Sequence, residues 1–565
     1  TTNPMGPVDA NMSKSLRRPP GPLSQPLRTT RRFTNTPLTF LSGLEASYSD
    51  LASFNYGPVT LTLVTDPDAA FTVLQETGGR FVKVDATGDD VGDLLGSGLL
   101  LSSGEQWREH RDLMDSWFAR DAVESYVDVM RAETLDAVDS WADGESVNLE
   151  SAMSEVTVSV LTETIFGVSL SEESLTRLRH ALEPLGERFE PDPLREVVPS
   201  WLPTPGEREF QESVTAIEDV VDEIVRERRA TAGDDRERLL DALLAAVDDG
   251  SLSETELRDE MVTLLLAGHD TTALTLSYAL YLLAKHPEEM AAVRREVDAV
   301  DGPITPEATN ELSATRRAPQ ETLRLYPPAW LLIRQAPEST ALAGYRLPDG
   351  ARLMISPYVL GRSSRWYEHP DSFRPSRWTE ESNRPTGAYL PFGAGPRTCI
   401  GKQFALMEAT VVLATLLREV ELSDPPASVD VTLLAPELLP NTAPNDAHAA
   451  RARSADAHRP PPPVVTEDCS RADGGGDARY EGAAAEAGGL ERATQFGWPR
   501  GVTTRGRLRS GGASSPIPRR VRPLEPLCAV FPCRTRTDRA FLFQDGGNVL
   551  AHLGGEPTAS ESVTR

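Results

Sequence analysis

The stretch Phe392-Gly-Ala-Gly-Pro-Arg-Thr-Cys399-Ile-Gly401 constrains this chain more than any other. Gly393, Gly395 and Pro396 forbid a regular helix and favour a tight, irregular loop. Directly after it, Gly401 to Leu417 is strongly apolar and reads as a helix. Cys399 therefore stands just ahead of a helix N-terminus. Unpaired backbone N–H groups and the positive end of the helix dipole stabilise a thiolate there. It is also the only cysteine in the first 468 residues. A lone cysteine in a long chain is commonly a small buried apolar residue.

This one is placed differently. A thiolate on a glycine loop, backed by the ring of Phe392 and next to Arg397, suits an axial ligand to haem iron. Three further patterns stand in order along the chain. Trp107 and Arg111 are four apart and share one helix face. Ala267-Gly-His-Asp-Thr-Thr272 sits inside an apolar helical run from Glu256 to Lys285, where burying an ionisable group and hydroxyls without partners costs about 1–3 kcal/mol each. Gly268 weakens that helix and the threonine hydroxyls can bond locally, so a water-holding kink is expected there. Glu321 and Arg324 lie one turn apart, ahead of Leu325-Tyr-Pro-Pro328, and Phe373-Arg-Pro-Ser-Arg377-Trp378 follows.

Taken together these patterns resemble the cytochromes P450. Phe392, Gly395, Arg397, Cys399 and Gly401 match the haem-binding loop F-x-x-G-x-R-x-C-x-G, and the resemblance covers roughly residues 12–420. It implies a mainly α fold with small β-sheets and a haem b cofactor held by Cys399. Phe392, Gly393 and Gly401 would shape the loop, and Trp107, Arg111, Arg334 and Arg397 would hold the haem propionates. Gly268, Asp270 and Thr271 would manage dioxygen and protons. Glu321, Arg324 and Arg377 would form the buried cluster that fixes the cysteine loop. Leu100, Ala267, Leu331 and Leu332 are the pocket candidates. The implied activity is insertion of one atom of O2 into an apolar fatty-acid-, terpenoid- or steroid-like substrate. The rival readings are a peroxide-using haem enzyme and a haem binder without turnover.

The rest of the chain adds local expectations. Arg17 to Pro22 is an extended lead-in, and residues 37–48 read as a short helix. Leu51–Tyr56 and Val59–Val64 read as a hairpin. Asp66 caps a helix that opens on Pro67 and runs to Gln75. The loop from Asp89 to Ser103 is apolar enough to line a cavity. His110 reads as a local surface contact rather than a metal ligand. The proline-rich break from Glu190 to Gly206 fits a mobile lid. Pro319 falls where the Glu321 helix should already be running, so that helix is expected to begin late. Trp330–Arg334 and Leu353–Pro357 read as strands.

Formal charge is −28, and it is unevenly spread: residues 451–565 carry +4 and the first 450 carry −32. Only Lys14, Lys83, Lys285 and Lys402 are lysines. An acidic, lysine-poor surface argues against a nucleic-acid partner and suits a salt-adapted cytoplasmic protein. Four cysteines, three of them in the tail, give no disulfide framework. No run of eighteen apolar residues reads as a membrane anchor. The expected organisation is an extension at 1–16, a haem domain at 17–424 and a low-complexity tail at 425–565, rich in Pro, Gly and Arg and read as disordered. The tail has no flavin or nicotinamide motif, so electrons would come from a separate donor, a ferredoxin with its reductase.

Overall fold

A computed structural model of the chain describes residues 16–84, 94–142, 145–188, 207–231, 238–379, 383–422 and 446–451. All of these belong to one of two compact units, Thr1–Ser454 with Arg534–Arg565. The expected lid at Glu190–Gly206 and the residues from Asp89 to Asp93 lie outside the described residues, as does nearly all of the tail.

Helices α1 (Pro26–Asn35) and α2 (Pro37–Ser47) precede the hairpin of β1 (Leu51–Tyr56) and β2 (Val59–Val64), whose register runs from Leu51↔Val64 to Tyr56↔Val59. The extended lead-in is pinned beside it, with Ser53 N–H donating to Pro20 C=O at 2.7 Å. Helix α3 (Pro67–Gln75) is capped as the sequence dictates: Asp66 Oδ1 accepts from Ala69 N–H at 2.8 Å, and Pro67 fills the first position, where no N–H is needed.

The helical body comprises α4 (Gly104–Met114), α5 (Val127–Asp139), α6 (Leu149–Leu161), α7 (Glu172–Arg188), α8 (Glu207–Ala230), α9 (Leu239–Asp248), α10 (Glu254–Lys285), α11 (Pro287–Asp298), α12 (Ser313–Leu325) and α13 (Lys402–Glu419). Helix α10 is its axis. It is 32 residues long and opens on a capping box in which Ser253 and Glu256 satisfy each other's backbone N–H groups. Its apolar faces pack on α6, α12 and α13. Helix α13 is apolar enough by composition to cross a membrane, but here its residues Ala409–Leu417 are buried in the core.

The larger sheet has the order β1-β2-β7-β4, with β4 at Leu332–Ala336 and β7 at Ala351–Ile355; β2 and β7 run parallel and the other pairs antiparallel. A two-stranded sheet joins β5 (Thr340–Leu342) and β6 (Tyr345–Leu347). A third sheet pairs β3 (Glu145–Asn148) and β8 (Val420–Leu422) with the central strand β9 (Asp446–Arg451). Strand β9 falls within the segment read from composition as disordered tail.

One expectation fails outright. Helix α12 does not begin late: it starts at Ser313 and carries Pro319 in its interior. An interior proline costs about 3 kcal/mol. Contacts at the helix start offset it, because Glu296 accepts from the amides of Ala314 and Thr315 at 2.9 Å each and from the hydroxyls of Ser313 and Thr315 at 3.1 Å each. The proline itself is buried.

Candidate functional site

The cysteine loop is built from backbone hydrogen bonds that the two glycines permit. Gly393 and Gly395 have φ of 66° and 74°, a region that side chains disfavour. A Cβ on Gly395 would also sit 2.2 Å from Leu74 C=O, so the loop lies hard against the end of α3. The turn closes through Cys399 N–H to Phe392 C=O at 3.0 Å and Thr398 N–H to Gly395 C=O at 3.0 Å. Helix α13 starts three residues beyond Cys399, as the sequence requires. The cysteine is half-buried and not in a disulfide.

Above this loop lies a cavity of about 1240 Å³, part of it open to solvent and most of its wall apolar. Cys399, Phe392, Arg397 and Gly401 line it from the loop, Trp107 and Arg111 from α4, and Ala267, Gly268 and Thr271 from α10. Leu100 lines it from the segment before α4. Residues as far apart in the chain as Leu100 and Gly401 thus converge on one space.

Two guanidinium groups enter a mostly apolar wall. Arg397 lies over the Trp107 ring, 4.7 Å from its centroid, and donates to Ser102 C=O. Arg111 donates from Nη1 to Thr398 C=O at 2.8 Å and from Nε to Asp115 at 2.7 Å. The Trp107 helix and the cysteine loop are therefore tied together directly.

The α10 wall departs from expectation in two ways. The expected kink is not a break: the segment stays α-helical, and the hydroxyls of Thr271, Thr272 and Thr275 donate to the carbonyls four residues earlier at 2.8, 3.2 and 2.8 Å. Gly268 has a packing reason, since a Cβ there would lie 3.0 Å from Leu161 on α6. Asp270 is not buried. Its side chain is 42% exposed, with His269 Nε2 at 3.6 Å, and it is not among the cavity-lining residues. Four-residue spacing places Thr271 and Ala267 on the cavity side and turns the neighbouring Asp270 away from it.

Glu321, Arg324 and Arg377 come together in a buried frame, with two additions. Glu321 and Arg324 are fully buried and joined by two hydrogen bonds of 2.8 and 2.9 Å. Arg377 Nε reaches Glu321 Oε1 at 2.8 Å. The sequence reading overlooked Trp378, whose Nε1–H donates to Glu321 Oε2 at 3.0 Å, and the Arg374 amide, which donates to Oε1 at 3.0 Å. The signal for Trp378 was its place directly after Arg377.

Other candidates fall elsewhere. Arg334 is buried, donates to Ile333 C=O at 2.9 Å and does not line the cavity. Leu331 and Leu332 are also core residues rather than cavity wall. Strand alternation explains Leu332: it packs in the smaller core with Val64 and Leu353, while Leu331 and Ile333 face the main core. Gly393 shapes the loop without lining the cavity. His110, read as a surface contact, is buried with Nδ1 2.6 Å from Glu260 Oε1.

The cavity is mostly apolar with a few convergent polar groups, as ligand sites are. A cysteine on its floor at a helix N-terminus, and two guanidiniums beside it, fit a planar macrocycle that carries a metal and acidic substituents. The comparisons with known proteins agree. The family model "Cytochrome P450" matches residues 17–446, and the chain belongs to that family. Cyclooctatin synthase of Streptomyces melanosporofaciens is 35% identical over 67% of this chain and 84% of its own length. Pentalenene oxygenase of Streptomyces avermitilis is 34% identical over 71% and 90%. The heme domain of cytochrome P450DA shares the fold, with a TM-score of 0.65 and 24% identity over 78% of this chain and 98% of that one. The protein is thus a cytochrome P450 monooxygenase whose cofactor is thiolate-ligated haem b.

Proposed function

We propose that this monooxygenase oxidises a terpenoid, with electrons supplied by a separate ferredoxin and its reductase. The observation that carries the reading is the mostly apolar cavity with Cys399 at its floor and Thr271 in its wall. Such a wall rewards burial of hydrocarbon at about 25 cal/mol per Å² and offers few polar groups to fix an oxygen-rich substrate. Relatives named as acting on pentalenene and cyclooctat-9-en-7-ol support a cyclic terpenoid over a fatty acid or steroid.

When bound, haem supplies the oxygen activation and C–H oxidation chemistry. The chain's residues supply the rest. Cys399 provides the thiolate, held charged by the N-terminus of α13. Arg111, Arg397 and the Trp107 N–H bind the acidic substituents of the macrocycle. The Thr271 hydroxyl, which donates to Ala267 C=O at 2.8 Å, orients the proton donor on the oxygen side. Asp270, half-exposed beside it, passes protons inward from solvent. Glu321, Arg324, Arg377 and Trp378 hold the surface on which the cysteine loop rests. The acidic composition supports a salt-adapted, cytoplasmic protein.

The test begins with the reduced, carbon-monoxide-bound spectrum of the full chain, whose long-wavelength band reports Cys399 ligation. A cyclic sesquiterpene, a cyclic diterpene alcohol, a long-chain fatty acid and a steroid are then titrated in. The reading expects a substrate-induced spectral shift with a cyclic terpenoid. A shift with the fatty acid or steroid alone would overturn the substrate assignment and leave the family intact. Thr271→Ala should consume reductant without matching product, and unchanged coupling would remove Thr271 from its role.

A further inference from the structure

The segment before α4 carries five leucines, Leu94, Leu95, Leu99, Leu100 and Leu101, all packed on the main core. Of the five, Leu99 and Leu100 line the cavity and the others do not. Apolar burial is non-directional and would reward any of them about equally. Something directional therefore selects these two.

That selection comes from α10. Ser97 donates twice to Asp259 Oδ2, from its N–H at 2.7 Å and from its Oγ at 2.9 Å. Both bonds go to a charged acceptor, which makes them stronger than neutral ones. The glycines on either side let the segment lie directly on the helix. A Cβ on Gly96, whose φ is 51°, would collide with the Asp259 carboxylate. A Cβ on Gly98 would collide with Thr263 Oγ1 and lie 2.7 Å from Asp259 C=O. Asp259 and Thr263 are four apart and share one face of α10. Thr263 also lines the cavity, as do Ala267 and Thr271 beyond it.

From this seat the geometry runs directly into the wall. Gly98 C=O accepts from the N–H groups of Leu101 and Ser102 at 2.9 Å each. Leu99 and Leu100 are the two residues that this turn encloses. The far end of the turn is held as well: Lys83 Nζ donates to Leu100 C=O and Arg397 to Ser102 C=O.

We infer that Asp259 is a positioning residue that fixes how far Leu99 and Leu100 project into the cavity, and so determines which substrates fit. It does not line the cavity itself and acts through Ser97 and Gly98. The assignment holds for any apolar substrate of this cavity, terpenoid or not.

Two haem-binding azoles of different size test it on the haem-loaded full chain. Imidazole is small and needs little of the wall, whereas clotrimazole carries three aryl rings that must fit it. Binding of each is read from the shift of the haem absorption band. Asp259→Ala should weaken clotrimazole about tenfold, the order expected for one lost charge-assisted hydrogen bond, and leave imidazole within about twofold of the native chain. Asp259→Asn should restore clotrimazole binding, because its amide oxygen can still accept both bonds. Ser97→Ala removes one of the two bonds and should weaken clotrimazole about threefold. If Asp259→Ala does not fold, Ser97→Ala decides. Native clotrimazole affinity in the alanine variant, an equal loss for both azoles, or no recovery in Asp259→Asn would overturn the assignment.

Discussion

Arg377 Nε and Glu321 Oε1 meet at 2.8 Å although 56 positions separate them. That contact joins helix α12 to the segment leading to the cysteine loop. It makes Glu321 the shared acceptor for Arg324, Arg377, Trp378 and the Arg374 amide. A buried carboxylate with so many donors is worth far more than an exposed pair of the same residues.

Glu321→Gln should therefore be severe. It leaves Arg324, with no exposed side-chain surface, and the nearly buried Arg377 without a counter-charge. Breaking a buried ion pair from one side costs about 3–5 kcal/mol. The expected outcome is a large fall in melting temperature and poor haem retention, read by thermal unfolding and by haem content per chain. A variant with native haem content would show that the cluster does not support the loop.

Gly395→Ala tests the loop itself. The residue needs positive φ, and its Cβ would collide with Leu74 C=O. A strained backbone position of this kind costs about 1–3 kcal/mol, and the clash adds to it. The long-wavelength carbon-monoxide band should weaken or shift, because Cys399 N–H and Thr398 N–H depend on the same turn.

Glu408 sets a pH dependence of stability. It lies on α13, fully buried, and neither carboxyl oxygen has a hydrogen-bond partner among the described residues. Burial pushes its pKa well above the usual carboxylate range. The folded value exceeds the unfolded one, so its contribution is fully present below the ordinary carboxylate range and is lost as pH rises through the folded value. Melting temperature should fall across that window in the native chain. Glu408→Gln should flatten the fall, and an unchanged slope would rule Glu408 out as its source.

Charge over the first 450 residues predicts a salt response. At about 0.1 M salt the Debye length is about 10 Å, and at about 1 M it is about 3 Å. Screening the net −32 should raise the melting temperature as potassium chloride increases between those limits. A melting temperature independent of salt would count against adaptation to high salt.

Much of the fold was legible because its signals are local. The β1–β2 hairpin and the Asp66–Pro67 helix start match the sequence reading to the residue, since a turn and a cap depend on neighbours in the chain. The helix behind Cys399 was legible too, read as Gly401 to Leu417 and found at Lys402–Glu419. Pro319 misled because propensity is local while the compensation, Glu296 on α11, comes from another helix. Which of Leu331, Leu332 and Arg334 meets the cavity was not legible, because a short apolar strand does not announce which face meets a cavity and which meets a core.

What the sequence alone determined is the chemistry: a thiolate at a helix start, a threonine on a long apolar helix, and a glutamate with arginines to frame them. Each follows from residue type and short-range spacing. What only the tertiary structure decided is exposure and partnership. Asp270 faces away from the cavity, His110 is buried against Glu260, and Trp378 closes the Glu321 cluster. These depend on where α4, α10 and α12 come to lie against distant segments, and packing geometry, not local pattern, sets that.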